Sequence, residues 1–341
     1  MTHPATAADA RLAGLRRWLT DDLKLDVRAI APASSDASFR RYFRAECAQG
    51  SLIVMDAPPE HEDCRPFIKV SAMLDAIGVN VPRVLEQDLA QGYLLLTDLG
   101  NRRYLDELDA DSVGSLYGDA LAALARLQTH GPREDGALPP YDHAMLMREM
   151  ALFPDWLLGR HLGMSLDAER QSMLAECFER LARSALEQPR VMVHRDYHSR
   201  NLMIVDAGNP GVLDFQDAVI GPVTYDVVSL LRDCYIAWPR QRVEAWALDY
   251  LRRPSVRELV GNVDDATWLR WFDWMGIQRH LKASGIFARL WHRDGKPGYL
   301  PDVPRTLGYI AEVASRYPEL ADLCRLLREE VIPGFERTPR P

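Results

Sequence analysis

The segment VMVHRDYHSRNLMIVDAGNPGVLDFQDA, residues 191 to 218, sets His194, Asp196, His198, Asn201, Asp214 and Asp217 among short apolar runs. A carboxylate at 196 precedes an amide oxygen at 201, and a second carboxylate stands at 214, at the end of an apolar stretch. Oxygen donors of this kind suit Mg²⁺, a hard cation that takes one or two carboxylates and keeps positions for substrate phosphates. Asn201 and Asp214 are therefore the candidate metal ligands, and Asp196 is left to accept a hydroxyl proton. Such a set belongs to phosphoryl transfer, where catalysis is largely positioning and charge neutralisation.

The runs VMVH, NLMIV and GVLDF have the aliphatic and β-branched composition of short strands, and AGNPG is a turn signal, so the polar residues fall at strand ends. Upstream, Leu12, Leu15, Leu19 and Leu23 recur at helical spacing and predict a helix over 8–24. Three strand-like runs follow, Val27 to Ile30, Ser38 to Ala45 and Leu52 to Met55. A helix from Arg65 to Ile77 comes next, opened by Asp63 and Pro66 and closed by Gly78, before VPRVL and YLLLTDLG supply two more strands. Val113, Leu116, Leu121, Leu124 and Leu127 then line a helix that stops at His130-Gly131-Pro132, and the rest is mostly helical. This order predicts an α+β chain, with a five-stranded antiparallel sheet and one inserted helix over 1–99 and a helical region over 100–341.

The bulk properties agree. A chain of 341 residues, 47% hydrophobic and 26% charged, is an ordinary globular composition with room for two packing units. Its formal charge of −8 and the lack of any long Lys/Arg run argue against a nucleic-acid partner. The N-terminus lacks the pattern of a secretory signal and no stretch reaches about 18 uncharged apolar residues, so the expected location is cytoplasmic, with no membrane partner. The five cysteines are scattered and never spaced as CxxC, which argues against disulfides and structural zinc. With no coiled-coil seam or dimer stripe, a monomer is the default.

His194-x-Asp196-x4-Asn201 followed by Asp214-Phe215 resembles the catalytic loop and metal motif of eukaryotic-like kinases. With His198 and Asp217 it is more similar to the aminoglycoside phosphotransferase and choline kinase branch than to the protein kinases. The resemblance implies a two-lobed kinase fold of the aminoglycoside phosphotransferase type, ATP and Mg²⁺ as cofactors, and a linker whose backbone at Thr97, Asp98 and Leu99 meets the adenine. His194 reads as a structural residue that holds the loop, while Arg195 and His198 divide evenly between substrate contact and loop packing. Asp226 resembles the family's aspartate that braces the loop, helix capping being the plainer reading.

Two departures stand out. Kinases of this type carry a lysine on the third strand, yet SLIVMD has none, and the expected position falls on Met55 or a neighbour. Arg40, Arg41, Arg44 and Lys69 are the basic candidates for the phosphates, since a guanidinium grips a phosphate through two N–H groups. The loop APASSDASFRRYF also lacks glycine, leaving Ser34, Ser35 and Ser38 as donors. Ser35, Ser38 and Arg41 are thus the candidate nucleotide contacts beside the linker.

The helical region carries REMALFPDWLLGRHLG and WFDWMGIQRHLKASGIFARLWHRDGKPGYLPDVPR, rich in flat apolar faces and hydrogen-bonding edges. With FRRYFRAE, VMDAPPEHEDCRPFI and YDVVSLLRDCYIAWP, these stretches resemble the bacterial anomeric sugar kinases of peptidoglycan recycling, over nearly the whole chain. In that family the third strand also reads like VMDAPP, so the missing lysine is an inherited feature. The resemblance implies transfer of the γ-phosphoryl group of ATP to the C1 hydroxyl of the amino sugars N-acetylmuramate and N-acetylglucosamine. Glu149, Arg195 and His198 are the implied substrate contacts, and Arg160, Arg279 or Arg289 would bind the lactyl carboxylate. Trp268, Trp271 and Trp274 fall near helical spacing and read as core sooner than as a sugar platform. Two alternatives stand beside this reading: a kinase of another small alcohol (an aminoglycoside, choline or homoserine) and a nucleotide-binding pseudokinase. Cationic acceptors call for carboxylates or an aromatic cage, whereas these candidates are rich in arginine.

Overall fold

Alternating apolar residues in the first hundred positions build one antiparallel sheet. In the computed structural model, which describes residues 7–35 and 39–338, its strands are β1 (Val27–Ser35), β2 (Arg41–Cys47), β3 (Gly50–Asp56), β4 (Val84–Asp88) and β5 (Tyr93–Thr97), in the order β1-β2-β3-β5-β4. The register sets Phe43 opposite Val54, Ala45 opposite Leu52 and Val54 opposite Leu95. Phe43, Ala45, Val54 and Leu95 bury one face against Leu15, Trp18 and Leu19. Each large apolar side chain so buried contributes about 1.5–3 kcal/mol. The helix expected over 8–24 is α-helical over Ala7–Arg17 and passes into a π-helical turn, Trp18–Asp22, that ends where Leu23 N donates to Trp18 O at 3.0 Å. The inserted helix, Arg65–Ala76, starts where Asp63 Oδ1 accepts from Arg65 N at 3.0 Å.

The chain packs as two compact units, one running through Arg102 and including Met203–Asp217, the other comprising Arg103–Leu202 and the chain from Ala218 onward. The excursion of 203–217 into the first unit follows from its hydrogen bonds and packing. Ile204 N donates to Arg102 O and Val212 N to Asn80 O, both at 2.7 Å, while the Phe215 ring lies 4.8 Å from that of Phe67. Gly211 lets Leu99 pack close, since a Cβ there would come 2.8 Å from Leu99 Cδ1 and the leucine would have to turn aside.

The strands around the polar motif are shorter than the apolar runs suggest. They are β6 (Arg190–Val193), β7 (Leu202–Met203) and β8 (Gly211–Val212), and a further strand, β9 (Val219–Pro222), pairs antiparallel with β6. Pairing in the NLMIV run ends early because Val205 N turns to the Asn209 side chain at 3.3 Å.

Helix Val113–His130 has the predicted limits. The centre of the second unit is the 28-residue helix Asp265–His292, capped by Asp264, whose carboxylate accepts from Thr267 N at 2.7 Å. Helices His143–Leu152, Ala168–Leu186, Thr224–Leu231 and Val303–Ala314 surround it, which is why Trp268, Trp271 and Trp274 are core residues. No described helix is long and apolar enough to cross a membrane.

Candidate active site

In the second unit, β6 delivers the chain to a loop that its own side chains fasten. Arg195 adopts a left-handed backbone (φ 78°), a conformation costly for any residue with a Cβ. Fully buried Asp226 holds it there: one carboxylate oxygen accepts from His194 N at 2.6 Å and the other from Arg195 N at 3.0 Å. Asp226 is thus a loop brace. Burial pushes its carboxyl up to about 7, against the pull of those two N–H groups. Asp196 N donates to His194 Nδ1 at 3.2 Å, Asn201 Nδ2 to Asp196 O at 3.0 Å, Tyr197 Oη to Ala120 O at 2.8 Å, and Ser199 Oγ to Asp233 at 2.6 Å. The sequence signal for Asp233 was only its place in LLRDCY.

Behind the loop lies a buried polar cluster. Arg195 Nη2 donates to Glu149 Oε1 at 2.6 Å, Lys282 Nζ stands 3.0 Å from the same oxygen, and Tyr141 Oη and Gln278 Nε2 both donate to Glu149. Lys282 Nζ also donates to Tyr225 Oη at 3.0 Å. Burial alone would raise the Glu149 carboxyl, but Lys282 and Arg195 outweigh it and hold the group below the usual glutamate value. The same balance governs half-buried Asp196: burial raises it, and Lys282, His198, Arg195 and Arg279 bring it below the ordinary aspartate value. Lys282 is the residue sequence reasoning missed. It stands four positions after Gln278 on one helical face, and that spacing was the available signal.

Glu149, expected at the substrate, is enclosed by these donors. Arg279 is buried, with Nη1 donating to Cys234 Sγ at 3.2 Å, and His198 lies edge-on to the Tyr235 ring, 5.3 Å between centroids. Two other arginines lie elsewhere. Arg160 is exposed beside His161, whose ring packs on His292, about 15 Å along the long helix from Lys282. Arg289 is half-buried next to Arg293 and Asp294.

The first unit holds the other candidates. Met55, at or next to the position where the lysine is expected, is fully buried. Arg41 is engaged by buried Asp56, which also accepts from Arg11 Nε at 2.8 Å. Arg44 donates to Asp98 at 2.6 and 3.1 Å, so the Asp98 side chain is a structural partner; burial would raise its carboxyl, and Arg44, Ser51 and Gly100 N lower it. Thr97 exchanges hydrogen bonds with the Arg83 backbone, and Leu99 packs against Gly211. Arg40 Nη2 lies 3.7 Å from Asp214 Oδ1, and Asp214 itself is left-handed (φ 62°) with Oδ1 accepting from Gln216 at 2.8 Å. Ser35 belongs to β1 by its backbone, while its side chain and Ser38 lie outside the described residues.

Residues 29–272 match a model of a phosphotransferase enzyme family. The chain is 50% identical over 329 residues to the N-acetylmuramate/N-acetylglucosamine kinase of Pseudomonas aeruginosa, covering 94% of this chain and 96% of that one. It is 46% identical to the protein of the same name from Pseudomonas putida, over 94% and 97% of the two chains. Among solved structures, choline kinase from Streptococcus pneumoniae shares the fold at a TM-score of 0.61 and 13% identity, covering 88% of this chain and 99% of its own.

Proposed function

The chain belongs to the phosphotransferase enzyme family, and from that premise we propose that it is an ATP-dependent sugar kinase acting on the anomeric C1 hydroxyl of N-acetylmuramate and N-acetylglucosamine, in the cytoplasm, as part of cell-wall recycling. The observation that carries this reading is the Asp196 carboxylate, presented by a braced loop and kept ionised in the field of Lys282, Arg195 and Arg279. The near full-length likeness to kinases of these two sugars supports the choice of acceptor.

Asp196 orients the C1 hydroxyl and takes its proton as the γ-phosphoryl group transfers. An anomeric hydroxyl is more acidic than an ordinary alcohol, so a weakly basic carboxylate is an adequate acceptor. Asn201 and Asp214 are the residues that would hold Mg²⁺, since an amide oxygen and a carboxylate are the hard oxygen donors this cation takes. Bound there, Mg²⁺ would neutralise phosphate charge. The backbone at Asp98 and Leu99 meets the adenine, and Arg40, directed toward Asp214, takes the part of the absent lysine on the phosphates.

Acceptor-dependent ADP release, measured with N-acetylmuramate, N-acetylglucosamine, kanamycin, choline and homoserine and read out by ³¹P NMR, tests the proposal. The expected product is a sugar 1-phosphate. Turnover only with another acceptor would leave the Asp196 assignment standing and sink the sugar reading; ATP binding without any turnover would point to a pseudokinase.

A further inference from the structure

Several buried or half-buried arginines of the second unit face a carboxylate: Arg195 meets Glu149, Arg232 meets Glu312, Arg240 meets Asp273 and Arg305 meets Asp302. Arg200 is different. It stands on the same loop as Asp196, one residue before Asn201, and its guanidinium carbon lies over the Tyr235 ring, 3.7 Å from the centroid, with the Tyr299 ring at 5.6 Å. Among the described residues no carboxylate is hydrogen-bonded to it. Asp302, the carboxylate that feels its charge, is held by Arg305 at 2.9 Å.

The surroundings form a half-open aromatic wall. The Phe287 and Tyr299 rings stack at 5.8 Å, Tyr235 lies 6.2 Å from Phe287, and the edge of His198 closes on Tyr235. Arg200, Tyr235 and Tyr299 are all half-buried, so this wall meets solvent on one side. A guanidinium stacked on rings has its faces covered and its N–H edge exposed, and that edge is shaped for two parallel hydrogen bonds to a carboxylate. His198, whose ring edge meets Tyr235, stands on the loop midway between Asp196 and Arg200, two residues from each, so the wall that holds Arg200 adjoins the loop that carries the proton-accepting carboxylate.

We propose that Arg200, stacked on Tyr235 and Tyr299, reads the lactyl carboxylate of N-acetylmuramate and so sets the preference between the anionic and the neutral sugar. This assignment rests on the sugar-kinase reading above. It replaces Arg160 and Arg289, which lie toward the far end of the long helix, and Arg279, whose buried guanidinium is turned to Cys234. The rings hold the planar guanidinium in place before the sugar arrives, which reduces the ordering cost of binding.

The test is kcat/KM for both sugars in the full-length wild type, Arg200→Met and Arg200→Lys. A charge-assisted contact is strong enough that Arg200→Met should lower the ratio of kcat/KM for N-acetylmuramate to that for N-acetylglucosamine by about tenfold or more. The change should appear in KM for N-acetylmuramate, with Arg200→Lys between wild type and Met, since lysine keeps the charge and loses the fork. An unchanged ratio in Arg200→Met, or a wild type that phosphorylates only the neutral sugar, overturns the assignment and leaves the sugar kinase intact. A wild type that phosphorylates neither sugar removes the underlying reading and this assignment with it. Measurable turnover of N-acetylglucosamine by the variants shows that they fold.

Discussion

Replacing Glu149 by Gln should damage stability and turnover together, and a second substitution should restore part of the first loss. The Glu149 carboxylate receives Arg195, Lys282, Tyr141 and Gln278, all donors, inside the protein. A glutamine amide would point its N–H₂ at some of them and leave two buried cations without their anion. Breaking a buried pair by removing one partner costs about 3–5 kcal/mol, which for a unit of this size lowers the melting temperature by roughly 6–20 °C. Lys282→Met alone leaves Glu149 matched one to one with Arg195 and should cost less, about 1–3 kcal/mol. The double variant should then lose at least about 1 kcal/mol less than the sum of the singles, because it removes one of the two uncompensated cations along with the anion. Turnover in Glu149→Gln should fall roughly tenfold or more, since Arg195 is the left-handed residue that aims Asp196. Urea unfolding and steady-state kinetics on the four proteins give the cycle. A Glu149→Gln protein within about 0.5 kcal/mol of wild type, or strictly additive losses, would refute the argument that this cluster holds the loop.

Asp196→Asn should reduce turnover by about 10³-fold or more while nucleotide affinity, measured by calorimetry, stays near wild type; near-normal turnover removes Asp196 from the proton-accepting role. Arg40→Met should lower kcat/KM for ATP by roughly 10–100-fold, the worth of one charge-assisted phosphate contact, and an unchanged value returns the search for the lysine's substitute to Lys69. His280 is buried, donates to the Arg232 carbonyl at 2.8 Å, and is lowered to about 3 by burial and by Arg279. Its folded form prefers to be neutral, so its stabilising share is complete above the unfolded value and is lost as pH falls through about 6.5 toward 3. Between pH 7 and 5 wild type should lose about 2 kcal/mol that His280→Gln does not lose, measured by urea unfolding at the two pH values; equal losses in both proteins would refute this.

What was legible in the sequence followed from local rules. The five strands, the inserted helix and the limits of Val113–His130 all came from apolar spacing and from cap and breaker residues. The loop motif carried its own spacing, and the preference for Trp268, Trp271 and Trp274 as core residues came from helical period alone. What was hidden depends on tertiary partners. Arg41 and Arg44 look equally available on a strand, and only the fold reveals that Asp56 takes one and Asp98 the other. Lys282 reads as a helix-surface cation until the long helix proves buried on nearly every side. The fourth strand of the motif region, β9, pairs with β6 across a gap in sequence that no local pattern reports.

The positions of backbone strain carry a last argument. Among the described residues only Lys24, Arg195 and Asp214 adopt the left-handed conformation without being glycine, and two of these three belong to the motif that sequence alone singled out. Such a conformation costs on the order of 1 kcal/mol and persists only where its surroundings enforce it. In the second unit the enforcement is explicit, since Asp226 grips the amides of His194 and Arg195 while Glu149 grips the Arg195 side chain. In the first unit Gln216 and Arg40 converge on the Asp214 carboxylate. A chain under no demand to aim these carboxylates would relax both turns or place glycine there, as it does at Gly78, Gly92 and Gly208. Strain maintained at a cost, next to groups that do chemistry, therefore indicates an active catalyst over a retired scaffold.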